Sequence, residues 1–444
     1  MFHRPLALSK KVFLSLFLLG SCVLPARAQN GVLFTGAGPV NRAMGGASVA
    51  APLDASGALF WNPATISGLP SSSIDFGVEL LYPQTRVSSS LPANAFGPGV
   101  PPVGPSGSDR GDDGVFALPT MALVYRPDDS MFTYGLGVFS LGGFGVNYPS
   151  SATNPILTPQ PPNGLGLGAV YSELQLLQLV PTVSAQLTDR LSVGGGPTLT
   201  LANLRADPLF LTSPNANGNY PLGTHSRLSW GGGFQLGAYY VLDGGWHLGA
   251  SFKSPQWLEG FHFQTVDARG LPRNVAYTFD VPLIASVGVG YTGFEHWTLA
   301  ADFRYVDYGS TEGFRQSGFA PNGMVRGLGW RDVFAVALGA QYQMTDTLAV
   351  RLGYSYNQDP ISASQSSFNV ASPTILEHAV YAGFTYAVSN ALALNLAYVH
   401  GFQNSIEGPI TTPAGAVPGS SVRNTTSADA LTFGVTVRFG CTSN

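Results

Sequence analysis

Residues 31–69 read GVLFTGAGPVNRAMGGASVAAPLDASGALFWNPATISGL, and this stretch decides the fold of the chain. Glycine, alanine and serine dominate it, and Pro39, Pro52 and Pro63 interrupt it, so neither a strand nor a long helix can run through it. A long series of alternating apolar and polar residues begins directly after it. The order of these two regions predicts a compact hatch, residues 29–73, that folds inside a β-barrel.

The first 28 residues have the features of an export signal. A basic start precedes residues 12–19, an apolar run too short to span a bilayer, and Ala26-Arg27-Ala28 provides a cleavage site. We therefore predict a cleaved signal peptide at residues 1–28. Together with a membrane β-barrel, such a signal predicts export to the outer membrane of a Gram-negative bacterium. An alternative stays open, because Leu19-Gly20-Ser21-Cys22 resembles a lipobox that would make Cys22 a lipidated first residue.

Composition excludes several classes of protein. Removal of the predicted signal takes away four basic residues and no acidic ones, which leaves 17 Lys and Arg against 25 Asp and Glu and a net charge of −8. Such a chain has no basic surface for nucleic acid. No run of about 18 apolar residues follows the signal, which excludes a bundle of membrane-spanning helices. Cys441 would be left alone, so no disulfide is predicted.

From residue 74 onward, apolar residues alternate with small or polar ones in segments of about ten residues or more, the length of a tilted membrane strand. In residues 431–439, for example, Leu, Phe, Val, Val and Phe occupy the odd positions. Short turns alternate with long loops rich in Pro, Gly and Ser. The predicted strand cores are residues 74–88, 115–126, 131–147, 173–187, 190–206, 227–241, 246–259, 274–291, 296–308, 332–344, 347–358, 377–388, 391–403 and 427–439.

This pattern predicts an all-β protein, a transmembrane antiparallel β-barrel of about 14 strands over residues 74–439, followed by a tail at residues 440–444. An even number of strands places both barrel ends on the periplasmic side. A soluble β-sandwich would show the same alternation. The strand lengths, the Tyr and Phe residues near strand ends and the alternation of short and long connections favour the membrane barrel.

The hatch segment, with its Asn62-Pro63-Ala64 tripeptide, resembles the N-terminal hatch of the FadL/TodX family of outer-membrane channels. Later segments also resemble that family, among them MALVYRPDD, YGLGVFSLGGFGVNY, LVPTVSAQLTDRLSVGGG and VRLGYSYNQDPI. The resemblance covers nearly the whole chain after the signal. It implies passive uptake of hydrophobic compounds, with long-chain fatty acids as the first expectation and monoaromatic hydrocarbons as the second.

In that family, ligand leaves sideways through a gap in the barrel wall where the third strand is kinked. By this resemblance, the lateral gate is predicted at Gly142, Gly143, Phe144 and Gly145, because consecutive glycines permit a bulge and leave a hole the size of a side chain. The alternative is that these glycines only ease strand curvature.

The resemblance also implies a ligand pocket against the hatch. Val32, Leu33 and Phe34 are predicted ligand contacts at the start of the hatch, and Arg351 and Arg438 are candidate partners for a carboxylate. By strand parity these arginines face the lumen, as do Asp302 and Arg304. Salt bridges within the lumen are the alternative role for all four.

Asn62, Pro63 and Ala64 are predicted to form a latch that holds the hatch in the lumen, with an amide that can cap or bridge to the wall. An ordinary Asn-Pro turn is the alternative. Arg42, Asp54 and Trp61 are further candidates for contacts between hatch and wall.

We expect a monomer whose partners are a hydrophobic small molecule and outer-membrane lipid, without nucleic acid, metal or cofactor. The histidines are scattered without metal-ligand spacing, and the acidic run at residues 109–113 lacks a calcium-loop pattern and predicts a solvated loop. Three other functions stay open. A general polar porin would lack a hatch, a hydrolase would need a catalytic triad that no elbow motif supports, and a structural or adhesion barrel would need no pocket.

Overall fold

The computed structural model describes residues 30–223, 226–266 and 270–440. The predicted signal peptide, the Cys22 alternative and Cys441 lie outside these ranges. Within them, no helix is long and apolar enough to cross a membrane.

In the described residues, fourteen antiparallel strands form a closed barrel, as the alternation predicted. Each strand pairs with its neighbours along the chain, and β1 also pairs with β14 to close the ring. The strands are β1 (Ser72–Ser90), β2 (Phe116–Tyr125), β3 (Phe132–Tyr148), β4 (Val170–Gln186), β5 (Leu191–Asp207), β6 (Ser229–Val241), β7 (Trp246–Lys253), β8 (Ile284–Tyr291), β9 (Trp297–Val306), β10 (Val333–Thr345), β11 (Leu348–Asn357), β12 (His378–Ala387), β13 (Leu392–Gly408) and β14 (Ser421–Phe439).

The outer face of the wall is apolar, because successive residues of a strand point to opposite faces. Large apolar side chains such as Trp230, Leu236, Leu352 and Phe433 are strongly exposed on it. Small or polar residues such as Thr432 and Thr436 occupy the inner positions and are buried. An exposed apolar belt around a filled interior is the arrangement that a bilayer stabilises.

The predicted strand at residues 274–291 is wrong in its first half. Pro272–Tyr277 pairs with Phe261–Val266 in a separate hairpin, and the wall strand β8 begins only at Ile284. Further short strands are Ser106–Arg110, which pairs with the upper part of β1, Trp257–Leu258, which pairs with β6, and the pair Thr411–Thr412 and Gly415–Ala416.

The hatch fills the lumen with short elements, as predicted. These are α1 (Pro39–Ala43), α2 (Ala55–Trp61) and the 3-10 helix Pro63–Gly68, and almost every residue in them is buried. Asp54 begins α2 as its N-cap and accepts a hydrogen bond from the Gly57 amide at 3.1 Å. The glycines are required by close packing: Gly46 has a φ of 84°, and a Cβ there would collide with the carbonyl oxygen of Thr35.

Candidate ligand cavity and wall opening

The wall is incompletely paired between β2 and β3. Their ladder runs only from the pair Tyr125–Tyr134 to the pair Thr120–Phe139. Beyond it, β3 continues along β4 to Tyr148, with a bulge between Ser140 and Gly142. A bulge bends the strand that carries it. Residues 140–148 of β3 are therefore paired with β4 on one side and not with β2 on the other.

Above this gap the wall closes again through the loop that precedes β2. The Gly111 amide donates to the Thr85 carbonyl of β1 at 3.0 Å, and the Asp112 amide donates to the Asn147 carbonyl of β3 at 2.9 Å. Asn147 returns a hydrogen bond to the Asp113 carboxylate at 3.2 Å. The gap thus has a lower and an upper edge, and we call it the window. Its β3 margin, residues 141–146, would measure roughly 20 Å if fully extended.

A cavity of about 900 Å³ lies behind and within the window. Phe116 and Leu118 line it from the inner face of β2, and Ala117 and Pro119 line it from the outer face of the same strand. The cavity thus borders residues of both faces of β2 in the part of that strand that has no partner on β3. Leu201, which is 41% exposed on the outside of β5, also lines it.

Phe116 narrows the window. A Cβ placed on Gly145 would lie 2.8 Å from the tip of the Phe116 ring, so this ring rests against the glycine across the opening. At the lower edge, the Ser140 hydroxyl donates to the Pro119 carbonyl at 3.2 Å. All four residues predicted as a lateral gate, Gly142, Gly143, Phe144 and Gly145, line the cavity.

The start of the hatch lies directly on the kinked part of β3. The Gly143 amide donates to the Val32 carbonyl at 2.7 Å, and the Phe34 amide donates to the Leu141 carbonyl at 3.1 Å. A Cβ on Gly142 would collide with the Val32 carbonyl oxygen, so this approach requires glycine. The structure therefore brings the predicted ligand contacts and the predicted gate together. Phe34 lines the cavity, whereas Val32 and Leu33 are buried between hatch and wall.

Sequence analysis missed Tyr308, which follows β9 and holds the same end of the hatch. Its hydroxyl donates to the Asn30 carbonyl at 2.6 Å and accepts from the Val32 amide at 3.0 Å. Its ring packs at 4.9 Å and 5.0 Å from the rings of Phe314 and Trp330. Burial raises the pKa of Tyr308, so the phenol stays neutral and can both donate and accept. No local motif marks this residue, because its partners lie far away in the sequence.

Asn62 joins the hatch to the wall. Its side-chain nitrogen donates to the Val49 carbonyl at 2.7 Å within the hatch and to the Ala238 carbonyl of β6 at 3.0 Å. Its side-chain oxygen accepts from the Ala64 amide at 3.1 Å and caps the 3-10 helix that Pro63 begins. One amide thus serves as a cap and as a bridge to a strand.

Two buried ion pairs also connect hatch and wall. Arg304 lies 2.9 Å from Asp302 on β9, donates to the Gly46 carbonyl at 2.6 Å and stacks 3.5 Å above the Trp61 ring. Asp302 accepts from the Ser48 amide at 2.8 Å.

The second pair joins Arg42 of α1 to Glu79 of β1. Two hydrogen bonds of 2.6 Å connect the guanidinium to the carboxylate, and a third of 2.6 Å runs to the Thr35 hydroxyl. These donors are consequently committed to protein acceptors.

Arg351 and Arg438 do not line the cavity. Arg351 is buried near the short turns and donates to Gln341 at 2.8 Å and to Thr385 at 2.7 Å. Arg438 lies one residue before the end of β14, where its backbone amide donates to the Ala391 carbonyl. Arg351 and Arg438 thus contact other residues of the barrel wall, which favours a structural role over contact with ligand.

Lys253, at the end of β7, is the second residue that sequence analysis missed. It is 4% exposed, and its amine lies 4.4 Å from the Phe60 ring centre and 5.5 Å from that of Trp61. It forms no ion pair with a described carboxylate and does not line the cavity. Among the described residues, no group of His, Cys, Asp and Glu could hold a metal ion.

Comparison with known proteins identifies the family. The profile of the family described as outer membrane protein transport protein (OMPP1/FadL/TodX) matches residues 22–440. The chain belongs to this family. It is therefore an outer-membrane transport protein, and the resemblance seen in the hatch and strands is confirmed. Members of the FadL/TodX family transport hydrophobic compounds and are channels rather than enzymes.

The individual relatives share little sequence identity with this chain. The long-chain fatty acid transport protein of Escherichia coli O6:H1 (strain CFT073) is 22% identical over 259 residues, which cover 54% of this chain. The match spans 55% of that relative's length. The crystal structure of the Pseudomonas putida toluene transporter TodX superposes with a TM-score of 0.66 at 19% identity, over 92% of this chain and all of that one. A Pseudomonas aeruginosa FadL homologue gives 0.68 at 18% identity, with the same coverage. These structures show the fold.

Proposed function

We propose that this barrel takes up hydrophobic molecules passively and releases them sideways through the window between β2 and β3. The observation that carries the proposal is the unpaired stretch between β2 and β3, because the cavity borders it directly. Ligand would enter among the long loops, rest against Phe34 and Leu118, and leave past Phe116 and Gly145 into the outer-membrane lipid.

A lateral route suits hydrophobic cargo energetically. A chain that crossed an aqueous pore would lose roughly 0.8 kcal/mol for every methylene exposed to water. A cavity lined by Phe34, Leu81, Phe144 and Val399 keeps the cargo in apolar surroundings. No energy coupling is needed, since the molecule passes from one apolar environment to another.

The hatch supports the route in two ways. Asn62, the predicted latch, fixes its centre to β6, and Arg304 and Arg42 add buried contacts. The residues that face the window, Val32 to Phe34, are attached to β3 by two backbone hydrogen bonds. We propose that the centre stays docked while this first segment moves to admit ligand, in a barrel that acts as a monomer.

Two substrate classes are consistent with membership of the family. The relative from Escherichia coli is named for long-chain fatty acids, our first expectation, and TodX is named for toluene. Both are hydrophobic. A general polar porin is disfavoured, because the hatch fills the lumen that such a pore would need open.

The window can be tested by covering it from outside. Ser140 lies on the outer face at its lower edge, and Ser140→Trp should slow uptake of a hydrophobic compound by cells while the purified barrel still binds it. Leu136→Trp is the matched control, on the same strand and face but within the paired region. Normal uptake by Ser140→Trp, with the variant folded to the level of the control, would refute the lateral route.

A further inference from the structure

The charges around the cavity distinguish between its two candidate substrate classes. Of the lining residues, Arg42 is the only cation, and Asp112, Asp113, Glu173 and Asp429 are the acids. Arg42 already donates twice to Glu79 and once to Thr35. Asp429 is bound to His400 and Tyr398 on the outer face of β14, so an incoming carboxylate meets three acids, Asp112, Asp113 and Glu173, and no uncommitted guanidinium.

The acids at the upper edge of the window are held in place. The Asp113 carboxylate accepts from the Thr85 amide at 2.8 Å, from the Thr85 hydroxyl at 2.9 Å and from the Asn147 amide at 3.2 Å. Asp112 is fixed by its backbone bond to Asn147. The Asp113 carboxylate cannot swing away to admit an anion without breaking these contacts, which close the wall above the window.

Glu173 stands on the opposite margin, on β4. Its side chain is only 14% exposed and accepts from the Tyr171 hydroxyl at 2.7 Å. Arg205 lies 3.5 Å away, but its side chain is 48% exposed and it does not line the cavity. A carboxylate thus stands on each margin of the opening, Glu173 with an exposed partner in Arg205 and Asp113 with no described cation, and partial removal of water strengthens their repulsion of an anion.

Two buried cations of the lumen form no ion pair with a described carboxylate, Arg351 and Lys253, and neither lines the cavity. Lys253 is covered by Phe60 and Trp61, and neither it nor these rings line the cavity. A carboxylate seated in the cavity would therefore remain without a charged partner, which is unfavourable for a buried ion.

We propose that Asp112, Asp113 and Glu173 act as a charge filter that makes this channel selective for uncharged hydrophobic molecules over carboxylate anions. The inference rests on the proposed function and reverses the order of substrates expected from the sequence. Neutral hydrocarbons become the first class and ionised fatty acids the second. The acids are not ligands: their role is to oppose an anion within an otherwise apolar cavity.

The test compares ligands that differ in charge. Purified barrel in amphipol binds the uncharged fluorophore N-phenyl-1-naphthylamine, and toluene, oleyl alcohol and oleate compete at neutral pH. Oleyl alcohol and oleate share one chain, so their ratio isolates the head group. We expect oleate to displace the probe about tenfold less well than oleyl alcohol, since an unpaired charge is excluded.

Matched variants assign the effect to the window. Asp112→Asn, Asp113→Asn and Glu173→Gln together should reduce the preference for oleyl alcohol at least threefold and leave the affinity for that alcohol unchanged. The control triple, Asp128→Asn, Asp129→Asn and Glu295→Gln, removes equal charge from the short turns and should retain the preference. Identical preference in both triples would overturn the filter.

The remaining outcomes distinguish failure of the charge filter from failure of the proposed function. If oleate competes as well as oleyl alcohol in the wild type, the charge filter is refuted, whereas the proposed uptake of hydrophobic molecules is not. Selective loss of oleate competition in Lys253→Met would then assign the carboxylate to that lysine. If the probe does not bind, or none of the three competitors displaces it, the proposed hydrophobic cavity fails together with the filter.

Discussion

Two junctions between strands of the barrel wall differ in how completely their strands are paired. Where the ends of the barrel meet, all 19 residues of β1 pair with β14, from Ser72–Phe439 to Ser90–Ser421. Between β2 and β3, pairing stops at Thr120–Phe139 although β3 continues to Tyr148. The junction that joins distant parts of the chain is complete, and the one between consecutive strands is open.

The contrast shows that the opening arises from the course of β3 itself and not from incomplete closure of the barrel between β1 and β14. On β3, the bulge after Ser140 and the glycines that follow turn the strand away from β2. Backbone groups that lose a strand partner need another one. Here the hatch supplies it, because Val32 and Phe34 bond to β3 where a wall strand would have paired.

The largest effect should come from Gly142→Val, which breaks the contact between the hatch and the open junction. Its side chain would collide with the Val32 carbonyl, so the first hatch residues must leave β3. We expect uptake to fall by about tenfold or more, because misplacing a positioning contact is this costly.

Ala301→Val is the control, since that residue lies on β9, which is paired with a wall strand on both sides there. Ligand binding by purified Gly142→Val should be retained. An equal loss of binding and uptake would count against a gate at this position.

Asn62→Ala should have the next largest effect. It leaves the carbonyls of Val49 and Ala238 without their buried donor, at a cost of about 1–3 kcal/mol each. The barrel should assemble, as judged by its heat-modifiable migration on gels, while uptake declines severalfold. Asn395→Ala removes an equally buried amide that joins only wall strands, and it should transport normally. Full uptake by Asn62→Ala would show that the latch is dispensable.

A smaller effect of opposite sign is expected from Phe116→Ala. This ring rests against Gly145 across the window, and its removal widens the opening. Uptake of bulky hydrophobic compounds should rise about twofold to fivefold, with little change for toluene. Phe76→Ala, on the outer face of the complete junction, provides the comparison. Slower uptake of the bulky compounds by Phe116→Ala would mean that the ring guides ligand instead of restricting it.

The smallest effect should be a pH dependence of selectivity. Burial, with a contribution from Asp112, raises the pKa of Asp113, so its carboxyl becomes neutral at a higher pH than an ordinary aspartate. Competition by hexadecanesulfonate, an anion that does not titrate, should therefore improve about twofold between about pH 8 and pH 5.5. Asp113→Asn should flatten this slope, and an unchanged slope would remove Asp113 from the filter.

The strands of the wall could be predicted from the sequence because the alternation of apolar and polar residues is a local property. Residues 431–439 specify an inner and an outer face without knowledge of their neighbours. The same pattern led to a wrong prediction at residues 274–277. Apolar and polar residues alternate in this separate hairpin as they do in a strand of the wall.

The site depends on contacts that no local pattern records. Gly142 and Gly143 could be selected on β3, but the opposite margin at Phe116 and Pro119 carries no signal of its own. The run at residues 109–113 was predicted as a solvated loop, whereas Asp113 is bound to Thr85 and Asn147 at the edge of the window. Tyr308 and Lys253 meet the hatch from strands or loops that are remote in the sequence.

Lys253 gives this channel a chemical reporter of its own. Outside the predicted signal peptide it is the sole lysine of the chain, and the aromatic rings of α2 cover its amine. An acylating reagent added to the folded barrel can modify this side chain only while the centre of the hatch is displaced. The mass added to one peptide would thus record whether the centre of the hatch stays docked during transport, without any engineered label.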